Sequence, residues 1–226
     1  MSRLKLYFDL MSQPSRAVWI FLKATGIPFE EKPVALRKGE HQTEEFAKIN
    51  PFQLVPVIDD GGFVLYESLS ICKYLAKSRN LADHWYPSEL KHRARIESYL
   101  QWHCLMVRLF ASQVFRIQVI EPRAMNKPVD RQRLAKYENI LSVVLDSFET
   151  VWLKDTPYIC SNEISIADVA CICELMQVYA VDYPLWEDRP KLEAWSKRVR
   201  ERLNPHYDQA NFMVDKVRNH FLASKI

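Results

Sequence analysis

Glycine is scarce in this chain, with four residues against twelve prolines among 226. Neither GxGxxG nor GxxxxGK(S/T) occurs, which excludes the glycine-rich loops that cradle nucleotide phosphates. No CxxC pair is present either. The five cysteines (Cys72, Cys104, Cys160, Cys171, Cys173) lie scattered in apolar segments. Cys171 and Cys173 are two apart, so on a helix they point in different directions and cannot easily share a metal. The set fits reduced core thiols in a reducing compartment; a cytoplasmic location and no metal site are expected. No apolar run approaches the roughly 20 residues of a membrane span, so no membrane partner is expected. The opening Met1–Leu6 enters a strand directly, without a secretory signal core. A formal net charge of +3 is too small and too evenly spread to imply a nucleic-acid partner. The remaining balance, 48% hydrophobic and 26% charged, is that of a soluble chain with material for one large domain or two small ones.

The first third alternates strand and helix. Arg3–Phe8 is a predicted strand, and Pro14–Thr25 a helix ending at Gly26, a natural residue for a helix C-terminus. Phe29–Val34 is a second strand, and Glu40–Lys48 a short helix or turn. Val55–Asp59 is a third strand, and Asp60-Gly61-Gly62 signals a hairpin into an antiparallel fourth, Phe63–Tyr66. Ser68 caps a helix to about Ser78. The order βαβαββα implies a small mixed sheet with helices on its faces. A polar and aromatic stretch with Pro87 then reads as a linker, dividing the chain at 1–78, 79–88 and 89–226.

Beyond the linker only helical periodicity recurs. Ile96, Leu100, Cys104, Val107, Ala111 and Val114 mark one long helix. Leu134, Tyr137, Leu141, Val144, Phe148 and Val151 mark a second, with Pro122 and Pro128 breaking the chain between them. Ser165-Ile166-Ala167-Asp168 is a capping box before an apolar helix to Tyr179, which makes Asp168 structural. Pro190 begins a helix with Leu192, Trp195 and Val199 inward; Pro205 begins the last, carrying Phe212, Val217 and Phe221. The fold class is therefore α/β followed by an all-α helical bundle.

Ser12 occupies the turn between the first strand and first helix, beside the free N–H groups of the helix start. That position favours negative charge. The hydroxyl either caps the helix or donates a hydrogen bond to an anion. Tyr7 at the strand end and Ser15 one turn into the helix are rival donors.

Several short motifs now combine: Ser12-Gln13-Pro14-Ser15-Arg16-Ala17-Val18, Val55-Pro56, Glu67-Ser68, and Ser165-x-x-Asp168. Lys38-Gly39-Glu40-His41, Trp85-Tyr86-Pro87 and Arg189-Pro190-Lys191-Leu192 join them. Together, over nearly the whole chain, they resemble a cytosolic glutathione transferase of the serine-dependent theta class. The resemblance implies a thioredoxin-like N-terminal domain that binds glutathione, an all-α domain completing a pocket for a hydrophobic electrophile, and a homodimer. Glutathione enters as co-substrate, with no further cofactor. Alkyl or aryl halides, epoxides and peroxides are the implied electrophiles. Ser12 is then the catalytic residue, because a hydrogen bond and a helix N-terminus together stabilise the glutathione thiolate. A cis Val55-Pro56 bond is implied as well, placing backbone to pair with the peptide ligand; Gln53 and Leu54 beside it are expected to add side-chain or backbone contacts to glutathione. Glu67 and Ser68 suit the γ-glutamyl end, and His41, with Lys38 nearby, the glycine carboxylate. His103, Met106, Val107, Arg108 and Phe110 are the expected electrophile-pocket residues. An inward Arg108 could stabilise an anionic leaving group or the thiolate, where a surface ion pair is the alternative. Theta proteins commonly carry a longer C-terminal extension, so a chain ending at Ile226 implies a more open pocket. A non-catalytic glutathione- or hydrophobe-binding carrier on the same fold is the alternative function. A thiol-disulfide oxidoreductase is disfavoured by serine, not cysteine, at position 12.

Overall fold

Strand β1 (Lys5–Phe8) alternates, burying Leu6 and Phe8 against the helices that cover the sheet. A computed structural model describes residues 4–223, so Arg3, at the start of the predicted first strand, lies outside them. Helix α1 (Gln13–Ala24) returns the chain to β2 (Glu30–Pro33), which pairs parallel with β1. Gly26 follows the helix with φ +69°, a conformation that costs glycine no Cβ clash. The predicted Glu40–Lys48 helix resolves into a 3-10 turn, Glu40–Gln42, and the single turn α2 (Glu44–Ala47), capped by the Thr43 hydroxyl. Strand β3 (Val57–Asp60) begins two residues later than expected, because Pro56 has no N–H to enter the ladder. It pairs antiparallel with β1 and, through the Gly61-Gly62 turn, with β4 (Phe63–Tyr66). The sheet order is β2-β1-β3-β4, and α3 (Ser68–Ser78) completes the βαβαββα unit.

The crossing to the helical half is pinned. Trp85, within the 3-10 turn Asp83–Trp85, is buried and meets Phe21 of α1 edge-on at 5.3 Å. Helix α4 (Leu90–His103) then continues through a π-helical turn, Cys104–Arg108, into α5 (Leu109–Phe115). A second π turn, Arg116–Ile120, leads into α6 (Glu121–Met125). Pro122 therefore does not break the chain. It follows directly on the π turn, and the break falls at Asn126 with φ +49°. Helix α7 (Arg131–Ser147) ends in a third π turn, Phe148–Trp152. The extra residue of that turn rotates Val151 outward, 59% exposed, where straight periodicity placed it inside.

Helix α8 (Ile166–Tyr179) is buried from Ile166 through Val178 and packs along α1, so it forms the centre of the molecule. Its capping box is present: Asp168 accepts from the Ser165 N–H at 2.8 Å, and the Ser165 hydroxyl accepts at the helix start. Helix α9 (Pro190–Leu203) buries Leu192, Trp195 and Val199 as expected. In α10 (His206–Ala223) the inward residues include Tyr207, Ala210 and Val214, whereas Phe212 is 57% exposed, one residue off the buried stripe. All five cysteines are free thiols, with Cys72, Cys171 and Cys173 buried. No helix among the described residues is long and apolar enough to cross a membrane.

Candidate active site

The turn that carries Ser12 is built by its neighbours. Asp9 accepts from the Met11 N–H at 2.8 Å and the Leu36 N–H at 3.0 Å, and its carbonyl accepts from the Ser12 N–H at 2.9 Å. Ser12 is the N-cap of α1: its hydroxyl oxygen accepts from the Ser15 N–H at 3.3 Å. The same hydroxyl donates to the Val55 carbonyl over a long 3.5 Å, a weak bond that a better acceptor can displace. Both sequence-level roles are thus compatible, because the cap uses the oxygen and leaves the hydrogen nearly free.

Ser12 lines a cavity of about 1160 Å³ between the sheet unit and the helices. Leu54, Val55 and Pro56 line it from the loop before β3, and the Val55-Pro56 peptide is cis. Glu67 and Ser68 line it at the start of α3. Glu67 has φ +69° with ψ 107°, a conformation that costs a non-glycine residue about 1–3 kcal/mol and that the surrounding fold imposes. Ser68 is buried, and its hydroxyl accepts from Arg108 Nη2 at 3.3 Å. His41 lines the same space, its Nδ1 buried without a partner among the described residues.

Two expectations from the first half need correction. Gln53 does not line the cavity; with φ +53° its side chain turns away, and its amide donates to the Thr43 carbonyl at 3.5 Å. Arg37, one residue earlier than Lys38, is the cation that lines the wall. The rival donors also lie elsewhere. Tyr7 packs edge-on against Phe46 at 6.4 Å in a small second core, and Ser15 is fully buried.

On the helical side, Arg108 lines the cavity but His103, Met106, Val107 and Phe110 do not. Val107 is fully buried in the core, and Met106 packs against that core. His103 is buried beside the Tyr99 hydroxyl at 3.2 Å, where burial and nearby Arg108 hold its pKa well below the usual histidine range. Phe110 stacks towards Tyr137. The physical reason is helical phase. The wall is formed by Arg108, Ser112, Phe115, Arg116, Val119 and Arg123, spaced at three or four residues along one face. Met213 and Val217 of α10 close the far side. Counting forward from Arg108 in steps of four would have found Ser112 and Arg116. Apart from Glu67, the charged wall residues are arginines, which makes the cavity electropositive.

Arg16 stood in the Ser12–Val18 motif, but the sequence reading gave it no role. Fully buried, it donates to the carbonyls of Leu10 (2.8 Å), Met11 (3.3 Å) and Cys173 (2.9 Å), and to Gln177 Oε1 at 2.9 Å. It staples the loop before Ser12 to α8. The only sequence signal was a charge on the apolar face of α1. Arg16→Lys keeps the charge but loses the fork that reaches four acceptors. It is expected to cost about 2 kcal/mol or more, read from the shift of a urea unfolding midpoint.

A strand-to-helix serine, a backbone edge at Val55 and a second helix start at Ser68, all facing one cavity across two structural units, define the architecture of a glutathione transferase. The chain belongs to the glutathione S-transferase family: the family's N-terminal domain profile matches residues 12–78 and its C-terminal domain profile residues 110–202. Within the family its relatives are of the theta class. Mouse glutathione S-transferase theta-2 is 40% identical over 196 residues, covering 87% of this chain and 80% of the mouse protein. Rat glutathione S-transferase theta-1 is 39% identical over 217 residues, covering 96% of this chain and 90% of its own. The crystal structure of human glutathione transferase theta-2, in complex with glutathione and an unknown ligand, superposes with a TM-score of 0.93 at 36% identity, covering 99% of this chain and 92% of that one.

Proposed function

We propose that this protein conjugates glutathione to hydrophobic electrophiles, with Ser12 stabilising the thiolate. The observation that carries the reading is the convergence on one cavity of Ser12 at the start of α1 and Ser68 at the start of α3. Two helix N-termini then face one elongated anionic peptide. The thiol lies at Ser12, the backbone of Val55 pairs with the cysteinyl part, and Glu67 and Ser68 hold the γ-glutamyl end. His41 and Arg37 face the glycine carboxylate. The electrophile fills the space lined by Phe115, Val119, Met213 and Val217, with Leu54 also contributing to the wall. Residues 1–78 form the glutathione-binding half, 79–88 the linker and 89–226 the electrophile-binding half.

The protein acts as a cytoplasmic homodimer. Leu105 and Leu109, one turn apart on the first long helix and exposed by 69% and 45%, suit burial against a second copy. The reading is tested by calorimetric binding of glutathione together with a conjugation assay on a simple aryl or alkyl halide. Binding with turnover is the expected result. Binding without turnover on any such halide would make the protein a carrier, and no binding would overturn the reading.

A further inference from the structure

Glu174 stands out in α8. It is 1% exposed in a helix otherwise buried throughout, where an ionised carboxylate is costly unless it is paired. It accepts from Arg108 Nε at 2.6 Å, and its second oxygen, Oε2, has no hydrogen-bond partner among the described residues. Arg16, the other buried guanidinium near α8, feels the Glu174 charge but donates to carbonyl and amide oxygens, and its Nε has no hydrogen-bond partner among the described residues. Arg108 is therefore the cation that Glu174 holds by a hydrogen bond. Burial alone would lower the Arg108 pKa, yet the neighbouring Glu174 carboxylate more than offsets this and leaves it raised.

Arg108 closes the π turn Cys104–Arg108, lines the cavity, and reaches Ser68 Oγ with Nη2. A hydroxyl whose oxygen accepts from a fixed cation has its hydrogen directed away from that cation. At Ser68 this leaves the hydrogen free for an acceptor in the cavity. Stability is a poor explanation for such a pair, since buried ion pairs are commonly no more stabilising than apolar residues of the same size.

We infer that Glu174 is a positioning residue for glutathione: its carboxylate fixes Arg108, and Arg108 fixes the Ser68 hydroxyl towards the γ-glutamyl carboxylate. The inference rests on the reading of Ser68 as a glutathione ligand. Ser12 meets the thiol of the central cysteine, away from the γ-glutamyl carboxylate, so Glu174 acts on affinity and not on the thiol.

The test compares wild type, Glu174→Gln, Ser68→Ala and the two combined, reading glutathione Kd by calorimetry and the pKa of the bound thiol. Glu174→Gln is expected to raise Kd about five- to tenfold, the net worth of one hydrogen bond, without moving the thiol pKa. On the Ser68→Ala background the same change adds less than about twofold, because the group it orients is gone. The variant Glu174→Met/Arg108→Met leaves no unpaired buried charge and so guards against misfolding; it is expected to bind as weakly as Glu174→Gln. Wild-type affinity in Glu174→Gln or in the double methionine variant, or multiplying effects of Glu174→Gln and Ser68→Ala, overturns the role of Glu174 alone. A wild-type protein that binds no glutathione overturns the functional reading as well.

Discussion

Ser12→Ala is expected to raise the pKa of enzyme-bound glutathione by about one to two units, towards the free thiol value near 8.5. The wild-type hydroxyl has its hydrogen held only by a 3.5 Å contact to the Val55 carbonyl, so a thiolate takes it over at small cost. A hydrogen bond to a charged group contributes roughly 1.5–3 kcal/mol, which corresponds to a loss of about 10- to 100-fold in kcat/KM at pH 6.5. The deficit should shrink towards pH 9, because a thiol that ionises unaided no longer needs the serine. Glutathione affinity should change little, since Val55, Ser68 and the cations remain. Thiolate absorbance against pH, with Tyr7→Phe as control, checks the assignment. A pKa that rises only in Tyr7→Phe would transfer the role to the tyrosine, despite its place beside Phe46.

Removing the Asp168 carboxylate should unfold much of the protein without touching the chemistry. Its Oδ1 accepts from the Ile159 N–H at 2.9 Å and the Trp195 indole at 2.8 Å; its Oδ2 accepts from the Ser165 N–H and hydroxyl at 2.8 and 3.2 Å. Burial pushes the Asp168 carboxyl up to about 6 against those four donors, so it is ionised at neutral pH and every donor has its acceptor. Asp168→Ala leaves buried donors unpaired at about 1–3 kcal/mol each, and after relaxation a net loss of about 3–6 kcal/mol is expected. For a chain of this size that lowers the melting temperature by roughly 10–20 °C. Calorimetric melting measures it, and a shift under about 2 °C would refute the network's weight. The fraction that does fold should bind glutathione with wild-type affinity, because Asp168 lies outside the cavity lining.

Much of this architecture was legible in the sequence because it rests on local physics. Strand alternation at Leu6 and Phe8, the serine cap at residue 12, the Gly61-Gly62 hairpin and the Ser165–Asp168 box are each encoded within a few neighbouring residues. The family resemblance supplied the glutathione contacts. What failed was phase. Four of the five residues expected in the electrophile pocket lie off the face that lines the cavity, and Val151 turns outward at a π turn, which a 3.6-residue period does not announce. Long-range clamps were invisible for another reason. Arg16 finds its acceptors on the loop before it and on α8, some 160 residues away, and Glu174 finds its partner 66 residues away.

The π turns at Cys104–Arg108 and Arg116–Ile120 also bear on how a lineage of such proteins can change its substrates. Each amounts to one surplus residue in a helix whose ends are fastened elsewhere. A single-codon deletion there would return the turn to ordinary winding and leave every later wall residue in phase, because the π turn already absorbs the surplus residue. The same deletion early in the straight α5 would turn the residues beyond it by about 100°, and Ser112, Arg116 and Val119 would leave the cavity together, with Ser12 and the sheet untouched. Ordinary point changes alter such a wall one position at a time. A change of length is silent where a π turn absorbs it and replaces much of the lining where the helix is straight.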